Sequence, residues 1–180
     1  MAPSRHPLQR ISSPSRTISA LIHLVGITSF TLSFRVLTHI ASPVTVQYGW
    51  YFQYLTILGL ALSLFAFSLG FAADVTSNAR LFAAKNALVV LAAPLEVLIS
   101  LLYWGIMAVD KTLLMPSPEF AIPLVPDLGF HLAPAVLLAA DLLLLSPPWT
   151  IRAYPALGLS MGLAMGYWWW VEVCFGKNGT

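Results

Sequence analysis

The run DLGFHLAPAVLLAADLLLL, residues 127–145, is apolar over most of its length, with His131 near its beginning and Asp141 near its end. About 20 mostly apolar residues cross a bilayer core about 30 Å thick, so residues 128–145 are predicted to form a membrane-spanning helix. A histidine inside such a segment is costly to bury. His131 therefore indicates a functional site with a polar partner.

The composition of the whole chain is that of a membrane protein. Of its 180 residues, 58% are hydrophobic and only 9% are charged, whereas soluble domains average about 25% charged residues. The formal net charge of +2 gives no reason to expect a nucleic-acid partner. Cys174 is the only cysteine, which excludes an intrachain disulfide and a cysteine-built zinc site.

The pattern of apolar runs predicts an all-α, polytopic transmembrane bundle of five helices. Their approximate bounds are 17–40, 49–73, 84–109, 128–145 and 155–175. Residues 1–16 are predicted to be a disordered basic tail, residues 17–176 the bundle, and residues 177–180 a short outer tail. Between the helices lie turns rich in Ser, Asn and Pro, and the loop 110–127 has four prolines, so it cannot be helical throughout.

The distribution of basic residues predicts the orientation of the bundle. Six of them fall in the loops on the side of the N terminus: Arg5, Arg10, Arg16, Arg80, Lys85 and Arg152. Only Lys111 and Lys177 fall on the opposite side. Because cytoplasmic loops carry the excess of Lys and Arg, the N terminus is predicted to be cytoplasmic. The expected membrane is the endoplasmic reticulum, another endomembrane or the plasma membrane.

Polar residues inside the predicted helices need partners. One face of the first helix carries Thr28, Thr31, Arg35 and Thr38, and we expect this face to look into the bundle. Arg35 and Glu172 are predicted at similar depths, so Glu172 is the expected counter-ion. His23 and Asp141 are expected near the membrane interface, and Glu96 is expected to be structural.

Thr56 is the candidate partner of His131, because both predicted helices descend from the same side of the membrane. Helical rise puts Thr56 about 10 Å and His131 about 5 Å below that surface. A threonine hydroxyl beside a neutral imidazole is a minimal nucleophile and base for attack on a carbonyl carbon. Helix packing is the competing explanation for the threonine. A metal site is not expected, since no HxxxH or ExxH spacing occurs.

Several short motifs in the same order resemble a known family. They are Tyr48-Gly-Trp50, Tyr54-Leu-Thr56, Pro94-Leu-Glu96, Leu102-Tyr-Trp104 and Gly129-Phe-His131-Leu-Ala-Pro134. They are similar to those of the androgen-induced, FAR-17a-like family of multi-pass membrane proteins, most of all its fungal branch, from about Thr17 to Gly179. The resemblance implies a threonine-dependent hydrolase of fatty acid esters of hydroxy fatty acids, with Thr56 as nucleophile and His131 as base.

The resemblance also implies a sixth helix after an aromatic-Pro-Tyr-Pro motif, whereas this chain stops at Thr180. A truncated chain of five helices is therefore expected. Gln53 and Tyr51 are candidate donors to the developing oxyanion, on position alone. No cofactor or metal is required.

The alternative function is a non-catalytic membrane protein that binds lipid or a membrane partner. A homo-oligomer through the small-residue face of Gly158, Gly162 and Gly166 is a further alternative.

Overall fold

The computed structural model describes residues 5–6, 9–10, 12–40, 42–114, 122–148 and 153–179. Within these ranges all regular structure is helical, as predicted. The helices are α1 (Arg16–Leu37), α2 (Leu55–Thr76), α3 (Ala79–Asp110), α4 (Leu124–His131), α5 (Ala133–Ala140) and α6 (Ala153–Asn178). One π turn, Asp141–Leu145, continues α5, and short 3-10 turns occupy Pro43–Val46, Trp50–Gln53 and Lys111–Leu113.

The tight turn between α2 and α3 makes these helices antiparallel neighbours. Ser77 takes the left-handed conformation (φ 59°) that ends α2. Asn78 then caps α3, its side-chain oxygen accepting hydrogen bonds from the backbone N–H groups of Arg80 and Leu81. The predicted break between the second and third spans, residues 74–83, is therefore confined to Ser77 and Asn78, and Asp74 remains in α2, buried.

The apolar run that contains His131 is broken into two helices. α4 ends at His131 and α5 begins at Ala133, and the two parts are bent by 41°. Pro134 explains the break, because it has no N–H to donate to the carbonyl of Phe130 and its ring would clash with that carbonyl. His131 thus lies at a helix end rather than within a straight helix.

Among the helices of the described residues, three are long and apolar enough to cross a membrane by themselves: α1, α2, and α3 with the turn that follows it. The bent α4–α5 pair counts as a fourth span if it crosses as one unit. The predicted fifth span is present as α6 but is not among them, since its tryptophans, tyrosines, glycines and proline lower its hydropathy. Five spans therefore stay a prediction. The loop residues 115–121 lie outside the described residues, as does Arg152, which was counted above to predict the orientation.

The core forms where α1, α2, α3 and the α4–α5 pair meet. Phe30, Leu60, Phe67, Val89 and Leu138 are fully buried there. α1 contributes the face of Ser19, His23, Gly26, Phe30, Ser33 and Leu37. The expectation for this helix was wrong, because Thr28, Thr31, Arg35 and Thr38 are all exposed. The threonines of that face that make hydrogen bonds, Thr28 and Thr38, satisfy their hydroxyls on their own helix backbone, so they need no neighbouring helix.

α6 stands apart from this core and is attached near its C-terminal end. Trp170 Nε1 donates to the carbonyl of Phe52 at 2.8 Å, and the Tyr167 hydroxyl donates to the carbonyl of Gln53 at 3.0 Å. The side chain of Asn178 accepts from the N–H of Tyr48 at 2.7 Å and donates to its carbonyl at 3.2 Å. Most of the helix before Tyr167 is exposed.

Candidate functional site

His131 is held by a carboxylate one turn earlier on its own helix. Its Nδ1 lies 2.8 Å from Oδ1 of Asp127, the spacing that places two side chains on one face. Both side chains are largely buried, at 10% and 5% exposure. An ionised carboxylate only accepts, so Nδ1 carries the proton and Nε2 carries the lone pair of a neutral imidazole. Among the described residues, Nε2 has no hydrogen-bond partner.

Tyr103 of α3 fixes this pair from a second helix. Its hydroxyl donates to the same Oδ1 of Asp127 at 2.7 Å. Its ring lies parallel to the imidazole of His131, with 3.5 Å between centroids and 3° between planes. One residue therefore holds the carboxylate by a hydrogen bond and the imidazole by stacking, which leaves the imidazole little rotational freedom.

Thr56 is the second residue of α2, and its level in the bundle follows from a contact deeper inside. Ser63 donates to Oε1 of Glu96 at 3.2 Å and so sets the register of α2 against α3. Thr56 lies seven residues before Ser63, and Tyr103 seven residues after Glu96. In antiparallel helices both positions lie about 10 Å from that contact in the same direction, and seven residues restore the same helix face. Thr56 is thus level with the tyrosine that stacks on His131.

The Thr56 hydroxyl has no hydrogen-bond partner within the described ranges, including His131. Six other serines and threonines of the helices and their ends donate to their own backbone: Thr28, Ser33, Thr38, Ser63, Ser68 and Thr76. For Thr56 the corresponding carbonyls belong to Phe52 and Gln53, and both already accept from side chains of α6. Because it has no partner among the described residues, the half-buried hydroxyl is available for another acceptor.

The two candidate oxyanion donors are engaged elsewhere. The amide N–H of Gln53 donates to the carbonyl of Trp50 at 3.1 Å and to the side chain of Gln47 at 3.4 Å. The hydroxyl of Tyr51 donates to the carbonyl of Ile40 at 2.8 Å. Both residues brace the segment that leads into α2, and either would have to give up a bond to act as a donor.

The expected ion pair between Arg35 and Glu172 is absent from the described part of the chain. Both side chains are exposed on the outside of their helices. The depth argument placed them at similar heights but could not give the direction in which each helix face points. In a membrane, such exposed charges reach the interface along their own side chains.

A large groove lies between α6 and the outer faces of α2 and α3. Its volume is about 1500 Å³, larger than the roughly 300–1,000 Å³ of typical small-molecule sites. None of the described residues that line it is charged. One wall is formed by Leu55, Leu58, Leu62, Leu91, Leu95 and Leu98, and the other contains Gly158, Gly162 and Gly166. Thr56 follows Leu55 on α2, on the adjoining face of the helix.

Asp127 and Tyr103 are the site residues that sequence reasoning missed. Tyr103 was noted only as part of a family motif, and Asp127 only as the first residue of the quoted run. The spacing of four residues between Asp127 and His131 was a usable signal for the pair, because residues so spaced on a helix lie side by side. No sequence signal joins Tyr103 to them, since that contact depends on how α3 packs against α4.

Comparisons with known proteins agree with the motifs. Residues 18–180 match the family described as FAR-17a/AIG1-like protein. A UPF0641 membrane protein of Schizosaccharomyces pombe is 35% identical over 169 residues, which are 92% of this chain and 75% of that protein. No solved structure matches the chain. The motifs, the helical membrane fold and the match over nearly the whole chain together establish that this protein belongs to the FAR-17a/AIG1-like family of membrane proteins.

Proposed function

We propose that this membrane protein hydrolyses lipid esters, with Thr56 as the nucleophile and His131 as the general base. The observation that carries the proposal is the Asp127–His131 pair, in which one imidazole nitrogen is fixed by a carboxylate and the other has no partner among the described residues. Nucleophilic hydrolases use this arrangement to hold the base in one tautomer. The family resemblance to threonine hydrolases supports the same two residues.

The reaction proceeds in two halves. Nε2 of His131 takes the proton of the Thr56 hydroxyl as Oγ1 bonds to the ester carbonyl carbon. The carbon–oxygen bond of the ester then breaks, and the imidazolium returns its proton to the leaving alkoxide. Water then gives a proton to the same nitrogen as its oxygen bonds to the acyl carbon. The bond from that carbon to Oγ1 breaks, and the imidazolium returns the proton to Oγ1, which releases a carboxylic acid and free Thr56. Asp127 remains a carboxylate throughout and stabilises the transient imidazolium.

The proposed substrate class follows from the groove beside α6. Its uncharged wall would accept acyl chains, which carry no group able to pair with a charge. Leu55 and Leu58 line the groove on both sides of Thr56 along the chain, so an ester at the level of the nucleophile could leave its acyl chain between α6 and the bundle. An ester of long-chain fatty acids suits this geometry, and no metal or nucleotide takes part in the steps.

The proposed setting is the endoplasmic reticulum, another endomembrane or the plasma membrane, with the N terminus in the cytoplasm. Cysteine-labelling of single-cysteine variants at Ser12 and at Lys177, on a Cys174→Ala background, tests the orientation. A membrane-impermeant reagent added to sealed vesicles should label one position and spare the other. Labelling of both positions to the same extent would contradict the proposed topology.

The activity is tested with a fluorophosphonate probe, which reacts with activated hydroxyls, and with a long-chain ester substrate. The wild-type protein in detergent is expected to be labelled and to turn the ester over. Thr56→Ala should abolish both signals, whereas Thr56→Ser should keep part of each because it keeps the hydroxyl. Thr28→Ala is the matched control, since Thr28 is exposed and donates to its own helix.

Labelling that persists in Thr56→Ala would overturn the choice of nucleophile. The alternative function is a non-catalytic membrane protein that binds lipid, and the groove is the observation that favours it. Retention of acyl lipid by a purified protein that neither reacts with the probe nor cleaves any long-chain ester would support that alternative over the hydrolase.

A further inference from the structure

A second polar site lies at the opposite end of the bundle, where α1 begins and α2 ends. Seven side chains meet there. They come from the N-terminal segment, α1, α2, α3 and the π turn that continues α5 with the residue after it: His6, Ser19, His23, Asp74, Lys85, Asp141 and Ser146. We call them the buried charge cluster, since none is more than 5% exposed. Nothing in the proposed hydrolysis uses them.

Asp141 is an ionised carboxylate in this cluster. The ammonium group of Lys85 donates to both of its oxygens, at 3.0 and 2.9 Å. The hydroxyl of Ser146 adds a third hydrogen bond at 3.0 Å. Lys85 and Asp141 are fully buried, and a buried pair of this kind is stable only while both partners keep their charges.

Asp74 is surrounded by donors in the same way. The hydroxyl of Ser19 donates to Oδ2 at 2.6 Å, and Nε2 of His6 lies 3.2 Å from Oδ1. The Oδ2 atom also lies 2.7 Å from Nδ1 of His23. An aspartate that accepts three hydrogen bonds in a site closed to water is held as the carboxylate.

His23 stands between the two carboxylates. Nδ1 meets Asp74 at 2.7 Å, and Nε2 meets Asp141 at 3.0 Å. A neutral imidazole has one N–H and one lone pair, so one nitrogen would point its lone pair at a carboxylate oxygen. Only the doubly protonated imidazolium can donate in both directions.

We propose that the buried charge cluster is an ionic lock, meaning a set of paired charges that holds the helices together. His23 is permanently protonated in it and joins α1 to α2 and to the π turn that continues α5. With Lys85 it neutralises the two carboxylates, so two positive charges balance two negative ones. His6 is neutral and attaches the N-terminal segment to the lock through its contact with Asp74. The charged and titratable groups that face His23 are Asp74, Lys85 and Asp141, and His6 reaches it through Asp74.

The N-terminal segment is fastened by the same cluster. The ring of His6 stacks on Phe82 of α3, with centroids 4.1 Å apart and planes at 13°. The side chain of Gln9 donates to the carbonyl of Leu145 at 2.9 Å. Although residues 1–16 were expected to be disordered, the described part of this segment is anchored on the bundle.

The docking of this segment should depend on pH. Burial holds the pKa of His6 below its ordinary value of 6.5, although the Asp74 carboxylate acts in the opposite direction; the positive charges of Arg16 and Lys85 also lower it. A group whose folded-state pKa is lowered stabilises the folded arrangement above its ordinary pKa and loses that contribution as the pH falls. The segment should therefore loosen as the pH drops below about 6.5, while His23 keeps its proton.

The protonation of His23 can be observed directly in the wild-type protein. With ¹⁵N-labelled histidine in lipid nanodiscs, both ring nitrogens of His23 should show the chemical shifts of an imidazolium from pH 6 to pH 8, a range chosen about the ordinary histidine pKa. His39, which is exposed, serves as the internal reference for the chemical shifts. A neutral tautomer of His23 at pH 7 would overturn the proposal.

Charge balance gives an independent test through thermal unfolding. Lys85→Met leaves one uncompensated negative charge and Asp141→Asn one uncompensated positive charge, so each should lower the Tm by about 10 °C. The double variant restores neutrality and should be more stable than the weaker of the two single variants. Additive losses in the double variant would contradict a charge-balanced lock.

Trypsin cleavage after Arg10 reports on the docked segment. Asp74→Asn should accelerate this cleavage several-fold, and lowering the pH of the wild-type protein below 6.5 should do the same after correction for trypsin activity on an unfolded reference peptide. Glu172→Gln is the control, because Glu172 is exposed on α6. Cleavage unaffected by Asp74→Asn would remove the N-terminal segment from the lock.

Discussion

Two histidines on the helices of this bundle, His131 and His23, differ in how their second ring nitrogen is used. His131 has one nitrogen on Asp127 and one without a partner in the described chain, whereas His23 has both nitrogens on carboxylates. An imidazole with a free nitrogen can take up and release a proton, as a general base must. One clamped between two carboxylates cannot release its proton without leaving a buried charge unpaired. Histidine is thus suited to proton transfer at one end of the bundle and to holding helices together at the other.

The largest effect should come from His131→Gln. Glutamine keeps a polar side chain of similar length but cannot act as a base, so the rate of ester hydrolysis should fall by at least about 100-fold. The Tm should change by only a few degrees, because the glutamine amide is still a donor for Asp127 and Nε2 has no partner among the described residues. Turnover and thermal unfolding are to be measured on one preparation. A large loss of Tm with full activity would reverse the roles given to the two histidines.

His23→Gln should have the opposite profile. Loss of the imidazolium leaves the two carboxylates with Lys85 alone, at a cost of about 3 kcal/mol in the free energy of unfolding. The activity of the protein that remains folded should stay within a few-fold of wild type, since the buried charge cluster lies at the other end of the bundle. Denaturation in detergent gives the first quantity and probe labelling of the folded fraction the second.

Two glycines allow a closely packed position to be compared with an open one: Gly70 lies against the buried charge cluster, and Gly105 does not. A Cβ at Gly70 would collide with the imidazole of His23, whereas a Cβ at Gly105 would meet nothing within 4 Å. Gly70→Ala should therefore destabilise the protein by about 1–3 kcal/mol. Gly105→Ala should stabilise α3 by up to about 1 kcal/mol through helix propensity. Equal Tm values for the two variants would show that α1 can shift away from α2.

The smallest effect should be that of Tyr103→Phe. The ring can still stack on His131, and only the hydrogen bond to Asp127 is lost. About 1 kcal/mol is expected for that bond, a rate reduction of up to about tenfold. Tyr103→Leu, which also removes the stacking, should reduce the rate further. If Tyr103→Phe has no effect, Asp127 is held well enough by its own helix.

Much of the fold could be predicted from the sequence, because runs of apolar residues and their breaks are local properties. The membrane class, the helical fold and the first three spans follow from such runs, and the single helix drawn through residues 128–145 failed only in overlooking what Pro134 does to the backbone. The direction in which each helix face points was harder to predict, because it depends on the neighbouring helices. His23 and Asp141 were expected near the interface without partners, and both are fully buried within the bundle because each is paired with residues far along the chain.

The candidate site also contains residues that could be found from the sequence and one that could not. Thr56 and His131 were chosen from topology and family motifs, and they stay predictions that the variants above would test. Asp127 was within reach of a local rule, but Tyr103 was not. Buried polar residues are satisfied by partners on other helices, so their roles depend on tertiary contacts that spacing along one helix cannot supply.

The break after His131 has an electrostatic consequence. Backbone dipoles sum along a helix and leave a partial negative charge at its C terminus, and α4 ends at His131. The end of that helix therefore favours the positive charge that the imidazole would acquire on accepting a proton, by about 0.3–1 kcal/mol and more where the site is partly buried. A straight helix would place this field a full span away, near Leu145. Pro134 thus brings the negative end of a helix to the residue that is proposed to become a cation.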